Sequence, residues 1–294
     1  MLKSFNQYPI KVLHLEPTDV CQASCPLCAR ETENTFDKND HHTLTVDDIH
    51  NLLGDDVIIG LDKMFMCGDY GDPAASKHSL DIYRYFRKLN PEITLGMNTN
   101  GAIQSPVWWR TLGELFTNPT DYVVFSIDGL ADTNHIYRRG VNWDKLIDNA
   151  QAYINAGGSA HWDMLVYEHN EHQVDTCEEL ARKLGFTWFR AKVSKRKHNI
   201  EWLKPPKNWE DPVVTTGKIN CFVEKEQSIY LTATGSLRPC CWHGSADGVV
   251  LSEFNSLRQE WGTGKCNTIC KSTCTESNNK TSFNSQWQRN TQLC

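Results

Sequence analysis

The chain has 294 residues, 39% of them hydrophobic and 22% charged, with 10 Trp, 9 Tyr and 11 Phe. That mix excludes a disordered chain, a collagen-like chain and a coiled-coil rod, and the length allows one large domain or two modest ones. Thirty Lys and Arg against 36 Asp and Glu leave a formal charge of −6, which argues against a broad basic face for nucleic acid or an anionic membrane.

The first residues, Met1 to Gln7, lack a signal peptide's apolar stretch, and no apolar run approaches the roughly 18 residues of a membrane span. A soluble, cytoplasmic protein is expected. Near-continuous apolar runs predict strands at 10–15, 63–67, 93–97, 122–127, 162–167 and 188–193, as in a parallel sheet covered by helices. Amphipathic stretches between them predict helices at 46–53, 80–89, 107–116, 143–155 and 174–184. Thr45 with Asp48 reads as a capping box, Pro106 suits a first helical turn, and Gly157 and Gly185 suit helix ends. Strand and helix alternating about six times mean βα units. Six units are too few for an eight-fold barrel, so the predicted fold is α/β, an open partial (βα)6 TIM-like barrel. Its ligands belong where loops leave the carboxyl ends of the strands.

From about Ser194 the character changes. The basic run Lys195-Arg196-Lys197-His198 reads as a solvated face, and Pro205, Pro206 and Pro212 mark a linker. Beyond it, 228–234 alternates like a strand and turns at Gly235, and a short helix is expected around 252–261. The last twenty residues are polar, and Asn279-Lys280-Thr281 matches a glycosylation sequon that a cytoplasmic chain would not use. Two domains are therefore predicted, 1–200 and 201–294, the second a small β-hairpin plus helix with a polar tail.

Cysteine is the outlier. Twelve in 294 residues fall short of the roughly 8–10% of a disulfide scaffold, and their clustering points to metal. Cys21-Gln22-Ala23-Ser24-Cys25-Pro26-Leu27-Cys28 directly follows the first predicted strand. Three thiolates so spaced can hold three irons of a four-iron cube, whereas a closed electron-transfer cluster normally takes a fourth cysteine. The open iron then marks a catalytic centre, by the logic that separates catalytic from structural zinc. Zinc on the Cys25-x-x-Cys28 pair, completed by His41 and His42, is the alternative.

Cys-x3-Cys-x2-Cys after the first strand of a repeated βα chain resembles the radical S-adenosylmethionine (radical SAM) superfamily. Further segments carry the likeness. Cys67-Gly68-Asp69-Tyr70-Gly71-Asp72-Pro73 is similar to that family's Gly-Gly-Glu-Pro segment, and Asn98-Thr99-Asn100-Gly101 matches a recurrent loop. Ser126-Ile127-Asp128-Gly129 ends the fourth strand, with Arg138 beyond it. Leu27 replaces the usual aromatic residue and Asp72 the usual Glu. Each glycine and Asn segment, taken singly, also reads as an ordinary turn.

The resemblance implies a [4Fe-4S] cluster on Cys21, Cys25 and Cys28 and S-adenosylmethionine as cofactor. It implies a methionine amine received at Gly71 and Asp72, a ribose and carboxylate met by Ser126 and Arg138, and a further cofactor contact at Asn98. Cys221, Gly235 and Cys240 resemble the opening half of a SPASM or twitch extension, which grips an auxiliary [4Fe-4S] cluster. Cys270 and Cys274 would complete the ligand set, with Cys266 the alternate and Cys241 and Cys294 held in reserve. Only seven cysteines lie between 221 and 294, which favours one auxiliary cluster over two; zinc is again the alternative. Cys67 and Cys177 read as core thiols.

The implied activity is reductive cleavage of S-adenosylmethionine, driven by a flavodoxin- or ferredoxin-type one-electron donor. The 5′-deoxyadenosyl radical so formed takes hydrogen from a peptide, a protein or a small polyol. A non-enzymatic zinc or iron–sulfur module and a nucleoside- or RNA-modifying relative are the alternatives. Candidate catalytic residues are Glu16 and Asp128. Further substrate-facing candidates are His14, Tyr167, Glu168, Asn170, Arg190 and Lys192.

Overall fold

Apolar strands joined by amphipathic helices fold here into six successive neighbours of one sheet. The computed structural model describes residues 9–33, 36–194, 200–207, 218–244, 248–263, 265–275 and 289–293. The basic run at 195–198, Pro212, most of the polar tail with its sequon, and Cys294 lie outside the described residues.

Strands β1 (Val12–Leu15), β2 (Lys63–Met66), β3 (Thr94–Thr99), β4 (Tyr122–Ser126), β5 (Ala160–Val166) and β6 (Trp188–Val193) pair in chain order, all parallel. Helices Val46–Leu53, Ser79–Leu89, Pro106–Leu115, Trp143–Asn155 and Val174–Leu184 make the crossovers. The Thr45–Asp48 capping box is formed in both directions, and Gly185 closes its helix in the left-handed region. The chain is an α/β protein with an open, parallel-dominated sheet of the partial-barrel kind.

One face of that sheet is sealed by the helices. Leu13, Met64, Met97, Phe125 and Trp162 are fully buried there. Among the described residues the other face is not sealed. Burial alternates along β1, β2, β5 and β6, so His14, Phe65, Asp163 and Lys192 line a half-buried surface. On that face chemistry-bearing residues take every second position.

Beyond residue 200 the chain returns to the same sheet. Strand β7 (Ser228–Leu231) adds to β1 in parallel, β8 (Leu237–Arg238) folds back on β7, and β9 (Arg289–Gln292) runs antiparallel along β6. All four β7 residues are buried, against the alternation expected of 228–234. Ile229, Leu231, Leu251 and Leu293 join the main core, while Cys221, Val223, Phe254, Leu257 and Cys270 form a second, smaller apolar cluster. Among the described residues no helix is long and apolar enough to cross a membrane.

Trp162 packs against Phe186 and Phe189, and its indole N–H donates to the Ile127 carbonyl at 2.8 Å, just before Asp128. Trp162→Ala is expected to destabilise the chain by about 3–5 kcal/mol, by lost burial and the cavity left behind. A lowered denaturant midpoint at unchanged slope checks this.

Candidate functional site at the strand ends

The cysteine loop begins one turn past β1. Backbone bonds from Cys28 to Cys25 (2.9 Å) and from Ser24 to Arg139 (2.9 Å) shape it, and the Arg30 guanidinium ties it to the Asp19 carbonyl at 2.7 Å. Each sulfur has a polar neighbour. Cys21 Sγ faces the N–H of Ala23 (3.4 Å) and the Asn100 amide (3.7 Å), Cys25 Sγ faces Arg138 Nη1 (3.8 Å), and Cys28 Sγ donates to the Asp69 carbonyl (3.4 Å). Burial, with Asp72 nearby, pushes the Cys21 thiol up to about 12; burial also raises Cys25, with Arg138 opposing. N–H and guanidinium donors around two of the three sulfurs suit thiolates, whose ligation to metal must displace the protons that burial otherwise retains. The donor set therefore fits an iron–sulfur cluster.

His41 and His42 do not turn towards these thiols. Both rings pair with Asp19, at 3.3 and 3.0 Å. Among the described residues no three His, Cys, Asp or Glu side chains are drawn together tightly enough to ligate a single ion as they stand.

The glycine turn after β2 packs against the start of the cysteine loop. A Cβ on Gly71 would lie 1.8 Å from the Thr18 carbonyl oxygen, so only glycine fits. Asp72 is buried, and its carboxylate already accepts from the N–H groups of Ala74 and Asn100, the Thr99 hydroxyl and the Asn100 amide, at 2.7–3.0 Å. It brackets the 98–101 loop to the turn. The acidic side chain expected at a cofactor amine is thus engaged by the protein itself, which leaves backbone groups of the turn for that task. Asn98 is half-buried on β3 and acts on Cys67, whose thiol burial pushes up to about 12.

Glu16 and Asp128, the two candidate catalytic carboxylates, are buried with both oxygens occupied. Glu16 accepts from the N–H of Tyr70 (2.8 Å) and Gly71 (3.1 Å) and from the Tyr230 hydroxyl (2.8 Å). Asp128 accepts from Arg138 Nε (2.6 Å) and the Leu165 N–H (2.6 Å). Burial raises the pKa of both. The reason is physical: a carboxylate out of water needs a full set of donors, and these have found theirs in the scaffold.

Ser126 is half-buried at the end of β4, opposite Asp163 of β5. Asp163 takes Arg190 through both oxygens and Lys192 at 2.9 Å. Burial pushes its carboxyl up, but the two cations together outweigh that and hold it low. Tyr167 is fully buried between Tyr137 and His169, and Asn170 is buried too, pinning the Asp128 and Leu165 carbonyls at 2.8 and 2.9 Å. Glu168 is half-buried, its backbone N–H bonded to the Lys204 carbonyl. Cys177 is a fully buried core thiol.

The second cysteine cluster is gathered as well. The Asn220 N–H bonds the Cys274 carbonyl at 2.9 Å, and Ile219 bridges Thr275, which closes 219–221 on 274–275. Cys221 and Cys274 share a side-chain hydrogen bond; Cys240 feels Cys270 and Cys274, and Cys270 feels Cys266. Cys241 turns instead towards Asp69 and Cys67. Sequence reasoning missed two neighbours. His243 Nε2 lies 3.9 Å from Cys270 Sγ, and the Trp261 indole acts on the same sulfur. A His so soon after Cys240 was the available signal; Trp261 left none.

A family model described as the Radical SAM superfamily matches residues 15–183. The chain belongs to the radical SAM superfamily. Streptococcus suis SuiB, solved with S-adenosylmethionine bound, shares its fold over 83% of this chain and 65% of its own, at TM-score 0.60 and 15% identity. anSMEcpe, solved with AdoMet and the Cp18Cys peptide, shares it over 83% of this chain and 80% of its own, at TM-score 0.56 and 13% identity. A GTP 3′,8-cyclase of Pectobacterium atrosepticum is 31% identical over 104 residues, 34% of this chain and 31% of that protein. The chain thus spans under a third of the curated relative and just under two thirds of SuiB. Members of the superfamily are enzymes that use a [4Fe-4S] cluster and S-adenosylmethionine, and this chain is one of them.

His14 lies between Phe65 and Tyr230 (ring centroids 4.5 Å to each) and donates from Nε2 to the Cys67 carbonyl at 2.8 Å. Burial, opposed by that bond, lowers its pKa from 6.5 to about 4. The unfolded chain then binds the proton more tightly, so this contribution to stability is full above pH 6.5 and is lost as pH falls towards 4. Between about pH 8 and about pH 5 the drop is about 2 kcal/mol. Denaturant midpoints against pH are expected to show it, and His14→Phe to flatten it.

Proposed function

We propose that this enzyme abstracts hydrogen from a peptide or protein side chain, or from a small polyol, over the half-buried face of its sheet. The observation that carries the reading is the meeting of three sulfurs, an Asp128-held Arg138 and a Glu16-held glycine turn in one place. When bound, the cluster and S-adenosylmethionine supply one-electron cleavage of the cofactor and a 5′-deoxyadenosyl radical.

In this reading Cys21, Cys25 and Cys28 hold the cluster. The backbone of the 68–71 turn, fixed by Glu16, meets the methionine amine. Arg138, aimed by Asp128 through Nε and set beside Cys25 Sγ through Nη1, offers Nη2 to the carboxylate. Ser126 and Asn98 contact the nucleoside, and Asp72 keeps the loop of Asn98 in register with the turn. The region 1–200 is the radical-generating core, and 201–294 is a SPASM- or twitch-like extension. There Cys221, Cys240, Cys270 and Cys274, with Cys266 as alternate, hold one auxiliary [4Fe-4S] cluster. Cytoplasmic residence and a flavodoxin- or ferredoxin-type reductant complete the proposal.

Peptide substrates are favoured because SuiB and anSMEcpe, whose folds cover most of this chain, have been solved with peptides bound. The similarity to a GTP 3′,8-cyclase favours a nucleotide as the second reading; the net charge of −6 weighs against RNA.

Anaerobically isolated protein is expected to be brown, to hold roughly seven to eight irons, and to release 5′-deoxyadenosine on reduction with S-adenosylmethionine. Cys25→Ala is expected to abolish that release, and Cys274→Ala to remove about four irons. Colourless, zinc-loaded protein, or undiminished release from Cys25→Ala, would sink the proposal. Deuterated peptides, polyols and nucleotides identify the substrate by which one passes label into 5′-deoxyadenosine.

A further inference from the structure

His243 is almost wholly buried, and its orientation is decided by its neighbours. The Val249 N–H donates to Nδ1 at 3.4 Å. A ring nitrogen that accepts carries no hydrogen of its own. A neutral imidazole that accepts at one nitrogen carries its proton on the other. The proton is therefore on Nε2, the atom 3.9 Å from Cys270 Sγ. A second ring N–H is concerned with the same sulfur. Trp261 Nε1 is buried with no formed hydrogen bond, its ring is held edge-on by Phe254, and it packs against the apolar cluster that contains Cys270.

Two buried N–H groups facing one sulfur make poor sense for a thiol, which is a weak acceptor, and good sense for a thiolate. A cysteine that ligates a metal does so as the thiolate. Among the cysteines of the region, Cys270 is the one with two such ring donors described beside it.

We propose that His243 and Trp261 are positioning residues of the auxiliary centre: they donate to a metal-bound Cys270 and raise the reduction potential of that centre. This rests on the auxiliary-cluster reading above. Reduction adds one negative charge to a cluster and its sulfurs, and N–H donors to a ligand sulfur stabilise the more negative state. The pair therefore equips the centre to accept an electron.

The test is an EPR-monitored redox titration of the full, iron-loaded chain, the auxiliary signal being the one lost in Cys274→Ala. Trp261→Phe keeps the ring and removes the donor. His243→Asn keeps an acceptor for Val249 and removes the donor to sulfur, whereas His243→Gln restores a donor at the Nε2 position. At fixed poise, Trp261→Phe and His243→Asn are each expected to lower the reduced-to-oxidised ratio by up to about tenfold, about 59 mV for one electron; His243→Gln is expected to recover it. Unchanged midpoints in both donor-removing variants, with iron content intact, would overturn the inference and leave the auxiliary cluster standing. If His243→Asn fails to retain iron, the Trp261→Phe midpoint decides alone. Iron near four per chain, equal in wild type and Cys274→Ala, would remove the auxiliary-cluster reading and this inference together.

Discussion

The carboxylate of Glu16 is the tie on which the site depends. It lies at the end of β1, almost completely out of water, and joins three separate pieces of chain: β1 itself, the turn after β2 through Tyr70 and Gly71, and β7 through Tyr230. A buried carboxylate left short of donors costs several kcal/mol, on the order of the whole stability margin of a domain. The three pieces are consequently held in one arrangement. Gly71 must approach the Thr18 carbonyl closely for its N–H to reach Glu16, and that approach is the reason no side chain is tolerated there.

The same device recurs at each strand end that faces the cysteine loop. Asp72 gathers Thr99 and Asn100 after β3; Asp128 gathers Arg138 and Leu165 after β4 and at β5. Burial pushes all three carboxyls up; hydrogen-bond donors work against it, joined at Asp72 and Asp128 by the Arg138 charge. Acidic residues at strand ends look catalytic in a sequence. Here they are tied to the loops around them: Glu16 to the glycine turn, Asp72 to the Asn100 loop and Asp128 to Arg138. A rigid frame of this kind suits radical chemistry, in which position and exclusion of water are the protein's main contributions.

What the sequence makes legible follows the range of the interactions. Helix ends are written locally, in Thr45 with Asp48, Pro106 and Gly185, and the five crossover helices fall within a residue of their predicted bounds. The six parallel strands are equally plain as apolar runs. The partnership of β7 with β1 is not, because it joins residues 12–15 to 228–231 and no local pattern records it. The cysteine loop and its companion segments were visible from spacing and order. The occupancy of Glu16, Asp72 and Asp128 was not, since which donors reach a carboxylate is decided only when distant loops converge. Trp261 is the limiting case: an aromatic side chain in a polar stretch, whose packing against Phe254 and the second apolar cluster no local pattern records.

The two cysteine clusters share a wall. A Cβ on Gly244 would stand 2.3 Å from Asp69 Oδ2 and 3.0 Å from the Tyr230 ring, so the 240–244 turn, which carries Cys240 and His243, rests directly on the turn that carries Asp69. The Asp69 carbonyl in its turn receives the Cys28 thiol, and Tyr230 is the residue whose hydroxyl completes Glu16. Displacing the 240–244 turn must therefore move Asp69, which touches Cys28 directly, or Tyr230, which reaches the glycine turn through Glu16. Removal of β7 would leave Glu16 Oε2 buried without its tyrosine, a loss on the scale of an unsatisfied charged acceptor. The chain beyond residue 200 is by this logic part of the scaffold of the first site, and cutting it away would loosen the glycine turn even if every residue of 21–28 were kept.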